Sequence, residues 1–307
     1  MLRYCIYLLI SQILSSFYAF HDYSLITVQR MKTMKLPFTK MHGIGNDFIV
    51  IEHNALDSAL DLSSLAKRLC ERRFSIGADQ LLLVYPSKAA DFKMRIFNAD
   101  GSEVEMCGNG IRCIARYLWD RGMTDKSVIS VETMAGVMYP EKAGDLVRVD
   151  MGQPGLEPSM IPVNLNHQVV RYPLEVHDQT FLITCVSMGN PHTIIVVDDI
   201  ETFPVEFYGP LIEHDRLFPK KTNVEFIRIP DSNTIIMRVW ERGAGETLAC
   251  GTGASAVAAA AHLLALTERK VTVQLRGGNL QIEWSSENNH IYKTGPAEEV
   301  YEGVVKL

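Results

Sequence analysis

Two stretches of the chain, FKMRIFNADGSEVEMCGNG (Phe92–Gly110) and IIMRVWERGAGETLACGTG (Ile235–Gly253), align without a gap at a constant separation of 143 residues. Met94 then meets Met237, Arg95 meets Arg238, Asn98 meets Glu241, Glu103 meets Glu246, Cys107 meets Cys250 and Gly110 meets Gly253. The same offset relates Gln80 to Asn223 and Gly152 to Gly295, and Gly45-Asn46 pairs with Gly189-Asn190 at 144. One such coincidence is cheap, but a run of them at a fixed offset marks a duplicated domain. The chain therefore divides into an N-terminal domain of residues 34–152 with 296–307 and a C-terminal domain of residues 153–295, each of ordinary size for a compact unit.

Within each copy, FKMRIFN, IIMRVWE, SVISVET, LVRVDM, VTVQL and LQIEW alternate apolar and polar residues as strands do. The segments after the two cysteines, GIRCIARYLWDRG and GASAVAAAAHLLALTERK, are instead rich in alanine and leucine at helical spacing. Each of Cys107 and Cys250 thus stands where a glycine-rich turn enters a helix. The expectation is an α+β fold of two pseudo-symmetric domains, each a mostly antiparallel sheet wrapped around a central helix, with the active site in the cleft between them.

The 36 acidic and 30 basic residues give a formal charge of -6 and are spread along the chain without a polybasic run, which argues against nucleic acid as a partner. Six cysteines are too few and too scattered for a disulfide scaffold, so a reducing cytoplasm is expected. Arg3 precedes a mostly apolar run from Tyr4 to Phe20, but Ser11, Gln12, Ser15 and Ser16 interrupt it and no small-x-small cleavage site follows. Met31 and Met34 stand just ahead of the first motif-bearing segment. Residues 1–33 are accordingly read as a dispensable leader, and no membrane association is expected.

A helix N-terminus presents unpaired N–H groups and about half a positive charge, which favours a thiolate and makes a cysteine there usable as a base. The glycines of CGNG and CGTG let backbone donors approach a bound carboxylate closely. Two homologous halves facing across a cleft would place two such thiols on opposite sides of one ligand. Inversion of a stereocentre needs that arrangement, because one group removes the α-proton from one face while the other delivers a proton to the opposite face. Differences between the copies, such as Asn98 against Glu241 and Asp47-Phe48 against Pro191-His192, suggest an asymmetric ligand.

Other readings weigh less. Cys5, Cys70, Cys113 and Cys185 carry no pattern beyond ordinary buried thiols. Cys107 and Cys113 lie about 240° apart around a helix, which faces them away from each other. No C-x-x-C or zinc-ligand spacing is present. GTGASA (Gly251–Ala256) matches a dinucleotide fingerprint, but it follows no buried strand, and VTVQL ends in Arg276 where an acidic residue would be needed.

The strings HGIGNDF, FNADGSEVEMCGNGIRC, SMGNPH and ERGAGETLACGTGA resemble those of the diaminopimelate epimerases, over essentially the whole chain from about Met34 to Leu307. The resemblance implies epimerisation of LL- to meso-diaminopimelate, in lysine and peptidoglycan synthesis, with no pyridoxal phosphate, other cofactor or metal. It makes Cys107 and Cys250 the acid/base pair. It places Asn46, Gln80, Asn98, Gly108, Asn109, Asn190, Asn223, Glu241, Arg242, Gly251 and Thr252 around the substrate, with His192 and Glu241 tuning the thiols. It implies a homodimer, with Tyr301 at the contact. Arg242 suits the distal carboxylate of the substrate, since a guanidinium grips a carboxylate with two hydrogen bonds. Met106, before the first cysteine, and the leader depart from the family pattern. A proline- or hydroxyproline-type racemase shares the two-thiol logic, but Glu241 and Arg242 favour an acyclic substrate with a second charged end. A thiol–disulfide oxidoreductase lacks its C-x-x-C here, and a binding module that had lost catalysis would have lost a cysteine.

Overall fold

The structure, a computed structural model, describes residues 34–307. The leader expected over residues 1–33 lies outside them. Leu36–Val305 forms one compact unit. At the chain ends, the Leu307 amide donates to the Met34 carbonyl at 2.9 Å.

The alternating segments do form strands. Numbered in chain order, those of the first half are β1 (Lys35–Gly43), β2 (Asn46–Glu52), β3 (Gln80–Pro86), β4 (Phe92–Asn98), β5 (Glu103–Val104), β6 (Val131–Thr133), β7 (Gly136–Met138), β8 (Glu141–Ala143) and β9 (Leu146–Asp150). There follow β10 (Tyr172–Val176), β11 (Gln179–Ser187), β12 (Pro191–Val196), β13 (Asn223–Asp231), β14 (Thr234–Glu241), β15 (Gly245–Thr247), β16 (Lys270–Leu275), β17 (Gly278–Trp284), β18 (Ile291–Gly295) and β19 (Glu298–Lys306). The helices are α1 (Leu62–Cys70), α2 (Gly108–Asp120), α3 (Val205–Glu213) and α4 (Gly251–Leu263).

Strand order reproduces the duplication. One sheet runs β19-β1-β2-β3-β4-β6-β7 with β5 attached to β4; the other runs β10-β11-β12-β13-β14-β16-β17 with β15 attached to β14, and continues through β18-β9-β8. Even the exceptions to antiparallel pairing repeat, since β2·β3 and β4·β6 are parallel in one sheet and β12·β13 and β14·β16 in the other. This is the α+β architecture expected from the sequence.

Each sheet curls around the helix that follows its cysteine. Ile111, Ile114, Tyr117 and Leu118 of α2 are buried against β1, β2, β3 and β4, while Arg116 pairs with Asp120 on the wetter side at 2.7 Å. Helix α4 is buried almost all round, from Gly253 to Ala261. Its run of alanines explains this, because single methyl groups let strands close in on every side while keeping the best helix propensity. A third core beneath α3, containing Phe181, Tyr208, Ile212 and Phe226, covers the outer face of the second sheet.

Two features tie the halves together. Strand β9 is hydrogen-bonded to β18 of the second sheet, yet its Val147 and Val149 side chains belong to the core around α2. The two-residue turn between β1 and β2 carries Ile44 at φ 53 and Gly45 at φ 88, and Ile44 is buried in the core around α4. Gly277 must be glycine there, because a Cβ would collide with the Ile44 carbonyl.

Candidate active site

Cys107 and Cys250 are the N-caps of α2 and α4. Both have extended backbone (φ -135, ψ 115 and φ -123, ψ 112), and each sulfur accepts a hydrogen bond from the third helical N–H, Gly110 or Gly253, at 3.4 Å. A thiol here takes the place of the serine or aspartate that usually caps a helix. It therefore sits in the field of the unpaired helical N–H groups.

Both thiols line one cavity of about 1410 Å³ between the halves. Asn46, Gln80, Asn98, Gly108, Asn109, Asn190, Glu241, Arg242, Gly251 and Thr252 line it too. Asn223 and His192 stand behind the wall, both buried. Asn223 accepts the Arg242 amide at 2.9 Å and donates to the Pro191 carbonyl at 2.8 Å, so it shapes the loop that carries Arg242. Tyr301 is away from the cavity, on β19, where it is exposed and packs edge-on against Phe38.

The two sides of the cavity are built differently. On the first, Asn46 Oδ1 accepts from Asn109 Nδ2 at 3.2 Å and faces Cys107 Sγ at 3.7 Å, while Asn46 Nδ2 donates to Asp79 at 2.8 Å. Arg72 bridges Asp79 and Asp47 at 2.6 and 2.7 Å and fixes this arrangement from the rim. Gln80 donates to Asn98 at 2.8 Å. On the second side a chain of polar contacts leads to Cys250. His192 Nδ1 lies 2.6 Å from Glu225, His192 Nε2 lies 3.0 Å from Asn190 Oδ1, Asn190 donates to Thr252 at 3.3 Å, and Thr252 Oγ1 lies 3.5 Å from the sulfur. Glu241 accepts from Thr247 at 2.6 Å. Both ring nitrogens of His192 are occupied, and neither contacts Cys250.

Sequence reasoning did not single out Glu225, Asp79, Arg112 or Lys293. The signal for Glu225 was present, because at the 143-residue offset it stands opposite Leu82. The signal for Lys293 was the period-two pattern Ile291-Lys293-Gly295, which puts a lysine on the buried face of β18.

Burial pushes both thiols above the ordinary cysteine value, the opposite sign to the lowering expected at a helix end. Helix-end donors do lower Cys107, through the Gly110 and Asn109 N–H groups, with Lys293 and Arg112 adding to this, but desolvation outweighs them. Cys250 is raised further, by burial first and then by Glu241 and Glu225. Glu225 is itself raised by burial, against the pull of His192. The pair is thus polarised, with cations beside Cys107 and carboxylates beside Cys250.

Two thiols thus cap equivalent helices of a duplicated α+β fold and open into one cavity. Solved structures share this fold. A phenazine biosynthesis protein of the PhzF family from Bacillus anthracis superposes with a TM-score of 0.65 at 17% identity, over 89% of this chain and 99% of that one. A hydroxyproline epimerase from Agrobacterium vitis superposes with a TM-score of 0.62 at 14% identity, over 89% and 92%. At the sequence level, the model of the family described as diaminopimelate epimerase matches residues 38–157 and 184–300. A diaminopimelate epimerase from Acetivibrio thermocellus is 53% identical over 277 residues, covering 88% of this chain and 98% of its own. Another from Methanococcus maripaludis strain C5 is 50% identical over 279 residues, covering 89% and 100%. The chain belongs to the diaminopimelate epimerase family and is an isomerase.

Proposed function

We propose that this enzyme epimerises LL-2,6-diaminopimelate to the meso isomer, in lysine and peptidoglycan precursor synthesis, by proton transfer between two thiols at one α-carbon. The observation that carries the reading is the pair of cysteine N-caps on equivalent helices, both opening into one cavity. Cys107, beside Lys293 and Arg112, is the more readily ionised thiol and takes the α-proton as its thiolate; Cys250, held protonated by burial and by Glu241 and Glu225, delivers a proton to the other face. The roles exchange in the reverse direction. N–H groups at Gly108, Asn109, Gly251 and Thr252 hold the α-carboxylate, where they also stabilise the charge that develops as the α-proton leaves. Asn46, Gln80, Asn98 and Asn190 orient the ligand, Asn223 holds the Arg242 loop, and Arg242 and Glu241 take the distal carboxylate and ammonium. His192, acting with Glu225 through Asn190 and Thr252, sets the Cys250 thiol.

The two halves, residues 34–152 with 296–307 and residues 153–295, close on the substrate. The enzyme works in the cytoplasm without cofactor, metal, membrane or nucleic acid, as a homodimer with Tyr301 at the contact. Support for the dimer is the set of exposed apolar side chains Val300, Tyr301 and Val304 on β19, at the edge of its sheet. Among the described residues no helix is long and apolar enough to cross a membrane.

The test is purified enzyme in deuterium oxide with LL-diaminopimelate, and with L-proline as the competing substrate. Early product should carry solvent deuterium at the inverted carbon while recovered substrate stays largely unlabelled. Product that retains its own α-hydrogen would exclude two opposed thiols, and turnover of L-proline alone would exclude the substrate.

A further inference from the structure

Lys293 projects from β18 into the space between the first turns of α2 and α4. A Cβ at Gly108 would collide with its Nζ, and one at Gly251 would stand 2.5 Å from it. The side chain is fully buried, and its Nζ has no hydrogen-bond partner among the described residues. It does not line the cavity but lies behind the helix ends. Arg112 is also fully buried and donates only to the Pro296 and Gly108 carbonyls and the Asn109 amide oxygen, with Nη2 unpartnered. Two basic side chains thus share a buried space with two helix N-termini, and among the described residues no carboxylate contacts either of them. Burying cationic groups without a counter-charge is costly, and such a site calls for an anion.

We infer that Lys293 is a positioning residue for the proton transfer: a buried amine wedged between the first glycines of the two cysteine-bearing helices, which takes up a proton from solvent when an anion occupies those helix ends. The anion is a substrate carboxylate or the Cys107 thiolate, and the ammonium stabilises it through space. The titratable or charged groups that act on Lys293 are Arg112 and Cys107 from the α2 side and Cys250 from the α4 side. Burial, then Arg112, brings Lys293 down to about 7, while the two thiols act in the opposite direction as they ionise. Near neutral pH the amine is therefore poised to change charge. Gly108 and Gly251 thereby gain a second function, since any side chain at either position would occupy the space of the amine.

The inference rests on the proposed substrate and is tested without turnover. Titration calorimetry of LL-diaminopimelate into the Cys107→Ala/Cys250→Ala protein, at pH 8 in two buffers of different ionisation enthalpy, reads the protons taken up on binding. Uptake of a substantial fraction of one proton is expected, and its loss when Lys293→Met is added. Lys293→Gln, neutral at similar length, serves if the Met variant does not fold. In the Cys250→Ala background, Lys293→Met should also move the pH profile of Cys107 alkylation by iodoacetamide upward by about one unit, roughly tenfold less thiolate at a fixed pH below the midpoint. Binding with equal proton uptake in both proteins, or an unmoved alkylation profile, overturns the inference and leaves the thiol pair standing. Failure of the ligand to bind at all overturns the substrate reading and this inference with it.

Discussion

The two halves share a strand order, a helix and a capping cysteine, yet differ in what lies beneath the sulfur. Under Gly110 the first half places Leu82, with side-chain carbon 3.3 Å from a Cβ built there; under Gly253 the second half places Glu225, with Oε1 at 2.8 Å. Phe48 fills the buried position that His192 takes in the other copy. A duplicated backbone alone would give two identical thiols, which cannot hold one proton between them in a defined place. An apolar floor with neighbouring cations on one side, and a carboxylate–imidazole floor on the other, makes the two thiols inequivalent.

The comparison breaks most completely at the sulfurs. Cys107→Ser or Cys250→Ser should lower kcat by about 10²–10⁴-fold or more, because a hydroxyl is a far poorer base than a thiol, with the circular dichroism spectrum unchanged. Near-normal turnover in either variant would remove the two-thiol reading. Making the first floor like the second is the next largest effect. Leu82→Glu buries a carboxylate without a partner imidazole and should cost roughly 3–5 kcal/mol in denaturant unfolding. A loss under about 1 kcal/mol would mean that the first floor is wetter than its burial implies.

Lys293→Met should raise thermal stability at neutral pH by roughly 4 kcal/mol, since each pH unit between the folded value of about 7 and the ordinary 10.5 is worth about 1.4 kcal/mol. The sign follows from the lowered folded-state value. Unfolded chains hold the lysine proton from about 7 up to its ordinary 10.5 while the folded chain does not, so wild-type stability rises with pH across that window. The advantage of the variant should therefore be largest below pH 7 and vanish above about 10.5. A constant difference across pH would place its origin in packing. The smallest effect belongs to Glu225→Gln, which keeps a hydrogen-bonding partner for His192 but removes the negative charge. Cys250, in a Cys107→Ala background, should then alkylate about three- to tenfold faster at pH 8, because removing the carboxylate lowers its thiol value. An unchanged rate would assign the raised thiol to burial and Glu241 alone.

Much of this was legible in the sequence because the duplication supplies its own alignment. The offset between FKMRIFN and IIMRVWE located two equivalent strands, and the glycine-rich turns located two helix starts, before any contact was known. Residues that touch the cavity sit in those turns, where glycine, asparagine and cysteine are conspicuous. Residues that stand behind the wall were harder to see. Glu225 lies where β13 is buried on both faces, from Asn223 to Ile227, and Lys293 lies on the buried face of β18; burial alone distinguishes them from the many solvated charges of a chain with net charge -6. The side taken by Val147 and Val149 of β9 follows from tertiary packing, and periodicity cannot say that a strand joins one sheet while its side chains fill the other core.

The place of β19 beside β1 also bears on synthesis. A ribosome releases β1 with one side unpaired, and its neighbour in the sheet emerges only after both helices, both cysteines and the whole second sheet. Strand β9 likewise emerges well before β18, the strand it pairs with. Nascent chains therefore carry open strand edges through most of elongation, which are templates for pairing between neighbours on one message. Circular permutation that joins Glu298–Lys306 directly to β1 would close the first edge early. Such a chain should reach its native state with less loss to aggregates, although every native contact is the same.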